Sequence, residues 1–283
     1  MAELACPSVA LVSGSGGPKP LDPRAFDLVL SSARELEKVE AAVRRRPLAT
    51  AALVQLLRYG AGLPLNAALL AESAVYSTLQ GGPEFGGWLA QNKPRGGGEE
   101  DKERLVLIDR DGELLRLELN RPRRHNAFSA AMRDALCEAL ELAVTDTSIR
   151  RIVLKGRGPS FCSGGELAEF GTLPDTATAH LVRCTRNAAR LFDRCAERMR
   201  VELHGACVGA GVELPAFASR IIANGDAYFQ LPELEMGLVP GAGGTVSIPR
   251  RVGRQRAAYM ALSGDRVDAG RALEWGLVDE VRD

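Results

Sequence analysis

Two glutamates, Glu213 and Glu233, stand in the stretch HGACVGAGVELPAFASRIIANGDAYFQLPELEMGLVPGAGGT, each shortly after a glycine-rich or proline-led turn. Two carboxylates that converge on one pocket can take a proton at one atom, give one at another and activate a water. Addition of water across a polarised double bond needs one thing more, a pair of donors for the oxygen on which negative charge develops. FCSGGELAEF (161–170) and Gly209-Ala210-Gly211 supply candidates. Each reads as a loop of small residues entering a helix, whose first backbone N–H groups have no intrahelical partner and attract negative charge. The amides of Gly165 and Ala210 are the expected donors, and small residues let a substrate come close to the backbone.

Taken one at a time, the same residues have a plainer reading. A glutamate in a helix's first turn, as Glu213 is expected to be, is favoured by the helix dipole whatever its function. Glu233 follows Pro232 and stands two residues before Glu235, as one of several loop charges would. Gly165 and Gly211 suit a simple turn or helix entry.

These loops need a scaffold, and the hydrophobic pattern gives one. Alternation at Leu105–Asp109 and Leu115–Leu119 predicts a β-hairpin turning at Asp111-Gly112. Helical spacing from about Ser129 to Val144, a short buried-strand pattern at Arg151–Lys155 and further strands at Val201–His204 and Arg220–Ala223 make the region α/β. Ahead of it, helical patterns are expected over about 24–46, 48–59, 64–80 and 84–91, punctuated by Pro47, Gly60, Gly62 and Pro83. The expected organisation is a flexible opening at 1–22, a helical extension at 23–92, a charged, glycine-rich linker at 93–103 and an α/β unit at 104–283.

Composition narrows the function classes. Lysine plus arginine equals aspartate plus glutamate, 36 against 36, so no strong field points to nucleic acid or a membrane surface as the main partner. The start has neither a basic region nor an adequate apolar run for a secretory signal, and no segment reaches membrane-spanning length. Six cysteines form no CxxC pair and do not cluster with the three histidines, so a reduced, cytoplasmic protein without a metal site is expected. SGSGG and GAGGT lack the Lys-Ser/Thr ending of a phosphate loop. Arg44-Arg45-Arg46 reads as a solvated helix end; Arg121 to Arg124 follow Asn120 in a loop.

LELNRPRRHNAFSAAM (117–132), IVLKGRGPSFCSGGEL (152–167), GACVGAGVEL (205–214), FQLPELEMGLVPGAGGT (229–245) and ALEWGLVDEV (272–281) together resemble the crotonase superfamily, the enoyl-CoA hydratase/isomerase family, in its order and spacing. The resemblance implies a ββα spiral acting on an acyl-CoA thioester, with Gly165 and Ala210 as the oxyanion amides and Glu213 and Glu233 as the two acids of a hydratase. It further implies substrate contacts at Arg123, Arg124, Ser163, Gly164, Glu166, Leu167, Gly209, Pro232 and Gly241. The arginine loop would meet coenzyme A phosphates, and Phe170, Leu173 and Leu238 would form apolar walls. No cofactor is implied, coenzyme A being part of the substrate, and a homo-oligomer, trimer or hexamer, is expected. Set against the family, the sequence is expected to depart at both ends, lacking the usual C-terminal helical segment and carrying the helical extension instead. The extension is expected either to pack on the core and close the pocket or to hang on a tether. Rival readings are an isomerase using chiefly Glu233, a cofactor-independent dioxygenase and a non-catalytic acyl-CoA-binding subunit.

Overall fold

The structure, a computed structural model, describes residues 6–12, 22–92 and 103–283. The linker expected at 93–103 and most of the opening expected to be flexible lie outside the described residues.

The described chain begins with strands β1 (Val9–Leu11) and β2 (Leu28–Leu30), then helices α1 (Ala33–Arg45), α2 (Pro47–Gly60), α3 (Leu65–Gln80) and α4 (Pro83–Gln91). There follow β3 (Val106–Asp111), β4 (Leu114–Leu119), α5 (Ala130–Thr145), β5 (Arg151–Gly156), α6 (Thr176–Thr185), α7 (Ala188–Cys195), β6 (Met199–Leu203), β7 (Ala206–Val208), α8 (Ala210–Glu213), β8 (Arg220–Asn224) and β9 (Tyr228–Gln230). Helices α9 (Gly244–Val252) and α10 (Arg254–Ser263), strand β10 (Val267–Asp268), helix α11 (Ala269–Trp275) and strand β11 (Glu280–Arg282) complete it.

Six strands form the main sheet in the order β11-β8-β6-β5-β4-β3, parallel except for the β3–β4 hairpin. The hairpin turns where the sequence places it, with Gly112 at φ 58°, a conformation that favours glycine. Period-two burial sets the register: Leu115, Leu117 and Leu119 of β4 face the core, and Leu117 pairs with Leu154 of β5, which pairs with Val201 of β6. A smaller sheet, β10-β9-β7, carries the strands that lead into the two glutamate-bearing segments.

Two expectations for the N-terminal region need correction. It is not all helix: Val9–Leu11, placed in the flexible opening, pairs in parallel with Leu28–Leu30. The helix expected from residue 24 starts at Ala33, because Ser32 and Glu35 form a reciprocal capping box at that point. Buried Asp27 fixes the ribbon, pairing with Arg58 of α2 at 2.5 Å and Arg254 of α10 at 2.6 Å.

Nor is Arg44-Arg45-Arg46 only a solvated helix end. Arg45 pairs with Glu235 at 2.8 Å, and Arg46 donates to the Glu235 carbonyl at 2.8 and 3.1 Å. The arginines therefore tie α1 to the 3-10 turn Glu233–Met236. Leu53, Val54, Leu57 and Leu69 of α2 and α3 are buried in the same hydrophobic core as α9 and α10. Among the described residues, the extension is thus docked on the α/β unit.

Candidate active site

Two backbone segments run side by side to make the floor of the site. Cys162 and Cys207 form a parallel bridge, with the Cys162 amide donating to Ala206 O at 3.0 Å and the Val208 amide to Cys162 O at 3.0 Å. Three residues further along each segment come Gly165 and Ala210, so the bridge keeps them neighbours. Gly164 and Gly209 are where the two backbones touch: a Cβ on Gly164, at φ 96°, would lie 3.2 Å from Val208 O. Among the described residues the Gly165 amide has no backbone acceptor, the amides of Phe128 and Glu166 making the bonds of the Phe128–Gly165 bridge instead. Ala210 opens α8, so its amide has no intrahelical acceptor either. Among the described residues, the amides of Gly165 and Ala210 thus have no backbone acceptor. The FCSGGELAEF loop, however, enters only a three-residue 3-10 turn at Leu167–Glu169, not a helix.

Buried Asn126 holds the neighbouring loop. Its side chain accepts from the Arg121 amide at 2.8 Å and donates to Arg157 O at 3.0 Å and Ser160 O at 2.9 Å. Asn126 itself sits at φ 52°, which asparagine tolerates better than most residues.

Glu213, 2% exposed, ends the four-residue α8, and Glu233, 7% exposed, begins the 3-10 turn after Pro232. Both reach toward Gly209: a Cβ there would lie 2.6 Å from Oε1 of Glu233 and 3.8 Å from Oε1 of Glu213. Only a glycine, at φ 50° and ψ −120°, leaves room for them. Oε2 of Glu213 accepts from the amides of Ala242 at 2.7 Å and Gly244 at 2.9 Å, at the start of α9. Oε2 of Glu233 is buried with no hydrogen-bond partner.

Burial is the main reason both carboxyls hold their protons well above the usual carboxylate range. The Glu233 carboxyl is pushed up to about 8 by burial, and the charge of Glu72 adds to this. Glu213 is raised by burial, then by its neighbours Glu233 and Glu72, while the amides of Ala242 and Gly244 pull the other way. Two buried like charges resist ionising together, so the pair titrates as a unit. Cys162 and Cys207 are buried thiols raised by the same desolvation, Cys162 to about 12, and are not poised as nucleophiles.

The glutamates and the free amides open onto one cavity of about 480 Å³. Every residue expected to touch substrate lines it, Ser163, Gly164, Glu166, Leu167, Gly209, Pro232 and Gly241 included, except Arg123 and Arg124. Those two sit exposed on the 3-10 turn 122–124, outside the cavity wall. The Glu166 carboxylate is engaged, pairing with Arg121 at 2.7 Å. Phe170 and Leu173 form walls as expected, but Leu238 is fully buried in the core and does not reach the cavity.

The extension supplies residues that the sequence did not reveal as part of the site. Tyr76, Gln80 and Trp88 line the cavity, Trp88 meeting Phe170 edge-on at 6.1 Å. Glu72 of α3, 3% exposed, accepts from the Gly243 amide at 2.7 Å, the Thr245 amide at 2.9 Å and Thr245 Oγ1 at 2.6 Å. The first turn of α9 is therefore held by two buried carboxylates at alternating amides, Glu213 on 242 and 244, Glu72 on 243 and 245. Burial pushes the Glu72 carboxyl up to about 7. The available signal was that Glu72 is the only charged residue in the helix LNAALLAESAVYSTLQ.

Among the described residues no helix is long and apolar enough to cross a membrane, and no group of three His, Cys, Asp or Glu could hold a metal ion.

Known proteins resemble the α/β unit in sequence and fold. A 2,3-dehydroadipyl-CoA hydratase of Escherichia coli is 36% identical over 178 residues, 62% of this chain and 68% of that protein. A 1,2-epoxyphenylacetyl-CoA isomerase of the same organism is 33% identical over 184 residues, 63% of this chain and 70% of that one. The crystal structure of an enoyl-CoA hydratase from Thermoplasma volcanium superposes with a TM-score of 0.58 at 35% identity, covering 64% of this chain and 73% of that chain. Residues 109–282, from the hairpin to the last strand, match the family described as enoyl-CoA hydratase/isomerase, and the chain belongs to that family.

Proposed function

We propose that the chain is an enoyl-CoA hydratase, adding water across the α,β double bond of an enoyl-CoA thioester. The observation that carries this reading is the convergence of two buried carboxyls on Gly209, beside two free backbone N–H groups. In the proposed reaction the amides of Gly165 and Ala210 hold the thioester oxygen. Water bonds to the β-carbon as Glu213 takes its proton, and the π electrons shift toward the oxygen as an enolate. Glu233 then gives its proton to the α-carbon and the carbonyl re-forms. One water is added in all, and the proton on Glu213 returns to Glu233 to complete the cycle.

The division of roles rests on the surroundings of each acid. Glu233, pushed up to about 8 by burial and with an unpartnered oxygen, suits the proton donor. Glu213 is fixed by two amides on Oε2, which offset part of the burial and neighbouring charge that raise it, and its Oε1 is free to hold water. Coenzyme A enters as part of the substrate.

A second reading is favoured by the same geometry. Because Glu213 is tied to α9 while Glu233 has a free oxygen, Glu233 alone could move a proton between two carbons, as an isomerase requires. Product analysis on matched 2-enoyl and 3-enoyl thioesters separates the two. Formation of the 3-hydroxyacyl thioester from the 2-enoyl substrate supports hydration; interconversion of the enoyl thioesters without it supports the isomerase.

A further inference from the structure

Arg183 of α6 lines the same cavity and has no role in the proton transfers above. Its side chain is built into the wall. The guanidinium lies 4.5 Å from the centre of the Tyr76 ring, and Nε donates to Ser73 Oγ at 3.2 Å, Nη1 to Gln80 Oε1 at 3.1 Å and Nη2 to Ser77 Oγ. Every one of these partners is neutral, and no described carboxylate forms an ion pair with it. Three of the five N–H groups of the fork are used, so two remain.

This cation is placed near the reacting groups. The Tyr76 ring on which it stacks packs against Gly241, where an added Cβ would lie 2.4 Å from the ring. The next amide, that of Ala242, holds Glu213. Removing a guanidinium from water without a counter-charge is costly, and an apolar residue could join α3 to α6 as well. Desolvation accordingly lowers the Arg183 pKa, with Tyr76, Cys184 and Glu72 opposing only in part. The other arginines of the wall differ. Arg133 pairs with Asp134 at 2.9 Å and Arg186 is exposed.

We propose that Arg183 is an anion subsite in the acyl part of the pocket, and that the preferred thioesters carry a carboxylate on the acyl group, as unsaturated dicarboxylic acyl-CoA thioesters do. A planar fork with two free N–H groups matches a carboxylate, and Ser73, Ser77 and Gln80 hold the fork in place. The inference deepens the hydratase reading and rests on it for the identity of the thioester.

The test is binding, without turnover. Saturated dicarboxylic acyl-CoA thioesters of increasing length are titrated calorimetrically into the wild-type protein alongside their neutral methyl esters and free coenzyme A, then into Arg183→Met. The wild type should bind at least one acid about 10-fold or more tighter than its ester, the ratio expected for one charge-assisted hydrogen bond. Arg183→Met should erase that preference by weakening the acid alone. Equal affinity of acid and ester throughout the wild-type series overturns the proposal whether or not the variant folds. So does an equal loss for acid, ester and free coenzyme A in the variant, which would assign Arg183 to the coenzyme phosphates or to structure. A preserved acid preference in a protein that hydrates nothing would sink the catalytic reading alone.

Discussion

Replacing Glu72 by alanine should damage catalysis from a helix that lies outside the family match. The substitution removes the acceptor of the Gly243 and Thr245 amides, both buried by α3. A buried donor left unsatisfied costs about 1–3 kcal/mol, so the two amides alone should cost about 2–6 kcal/mol. For a protein of this size that is a fall in Tm of roughly 5–20 °C. The kinetic consequence follows from the alternation of bonds along 242–245. Once Gly243 and Thr245 are free to shift, so are Ala242 and Gly244, which hold Oε2 of Glu213. A misplacement of about 1 Å in a catalytic group can cost about 10²-fold in rate. KM should move much less, because in the proposed reaction the thioester oxygen would be held by Gly165 and Ala210, away from the first turn of α9. Calorimetry and steady-state hydration assays on Glu72→Ala, run below its Tm, measure both effects. A variant with wild-type Tm and wild-type kcat would refute the claim that Glu72 positions the site; a lowered Tm with unchanged kcat would confine it to stability.

Gly209→Ala should fold but lose roughly 10²-fold or more in kcat, since its Cβ would sit 2.6 Å from Oε1 of Glu233 and force that carboxyl aside. Unchanged circular dichroism with normal turnover would contradict the convergence of the two acids on this backbone position. Stability should fall as pH rises: Glu72 and Glu233 hold their protons to about 7 and about 8 in the folded chain, against 4.5 for an ordinary glutamate. Their stabilising contribution is complete below about pH 4.5 and is lost as pH climbs through the folded values, on the order of 6 kcal/mol between pH 5 and 8 for the two together. Denaturant titrations across that range should show the slope, Glu233→Gln should flatten it, and a stability that instead rises toward pH 8 would mean that these carboxyls are ionised in the fold.

That Glu213, Glu233, Gly165 and Ala210 would meet at one cavity was legible because each lies in a short, local pattern. Gly209-Ala210-Gly211 and Ser163-Gly164-Gly165 announce close backbone approach, and Pro232-Glu233 a turn that presents an acid. The hairpin at Gly112 and the helix beginning after Ser129 were legible for the same reason, since a turn residue and a cap act within a few residues of themselves. What escaped depends on contacts between distant segments. Glu72 and Gly243 are 171 residues apart, and the periodicity of α3 says that one face must be buried without saying against what. Arg45 and Arg46 read as solvent-facing because their partner, Glu235, is reached only through tertiary structure. Residues 28–30 read as helix because three apolar-rich residues are too few to show a period of two; the capping box at Ser32 is the better local signal. Arg123 and Arg124 were carried over from a family loop, and their place outside the cavity depends on how the 122–124 turn aims them, which composition does not encode.

The central claim, hydration by two cooperating glutamates, is tested most directly by single-turnover reaction of a 2-enoyl-CoA thioester in ¹⁸O-labelled water with the wild type, Glu213→Gln and Glu233→Gln, thioester binding being measured in parallel. The wild type should give labelled 3-hydroxyacyl-CoA, each variant a rate lower by roughly 10²-fold or more, with binding largely intact in both. Full labelling by Glu213→Gln, or a wild type that shifts double bonds without taking up label, would contradict the claim.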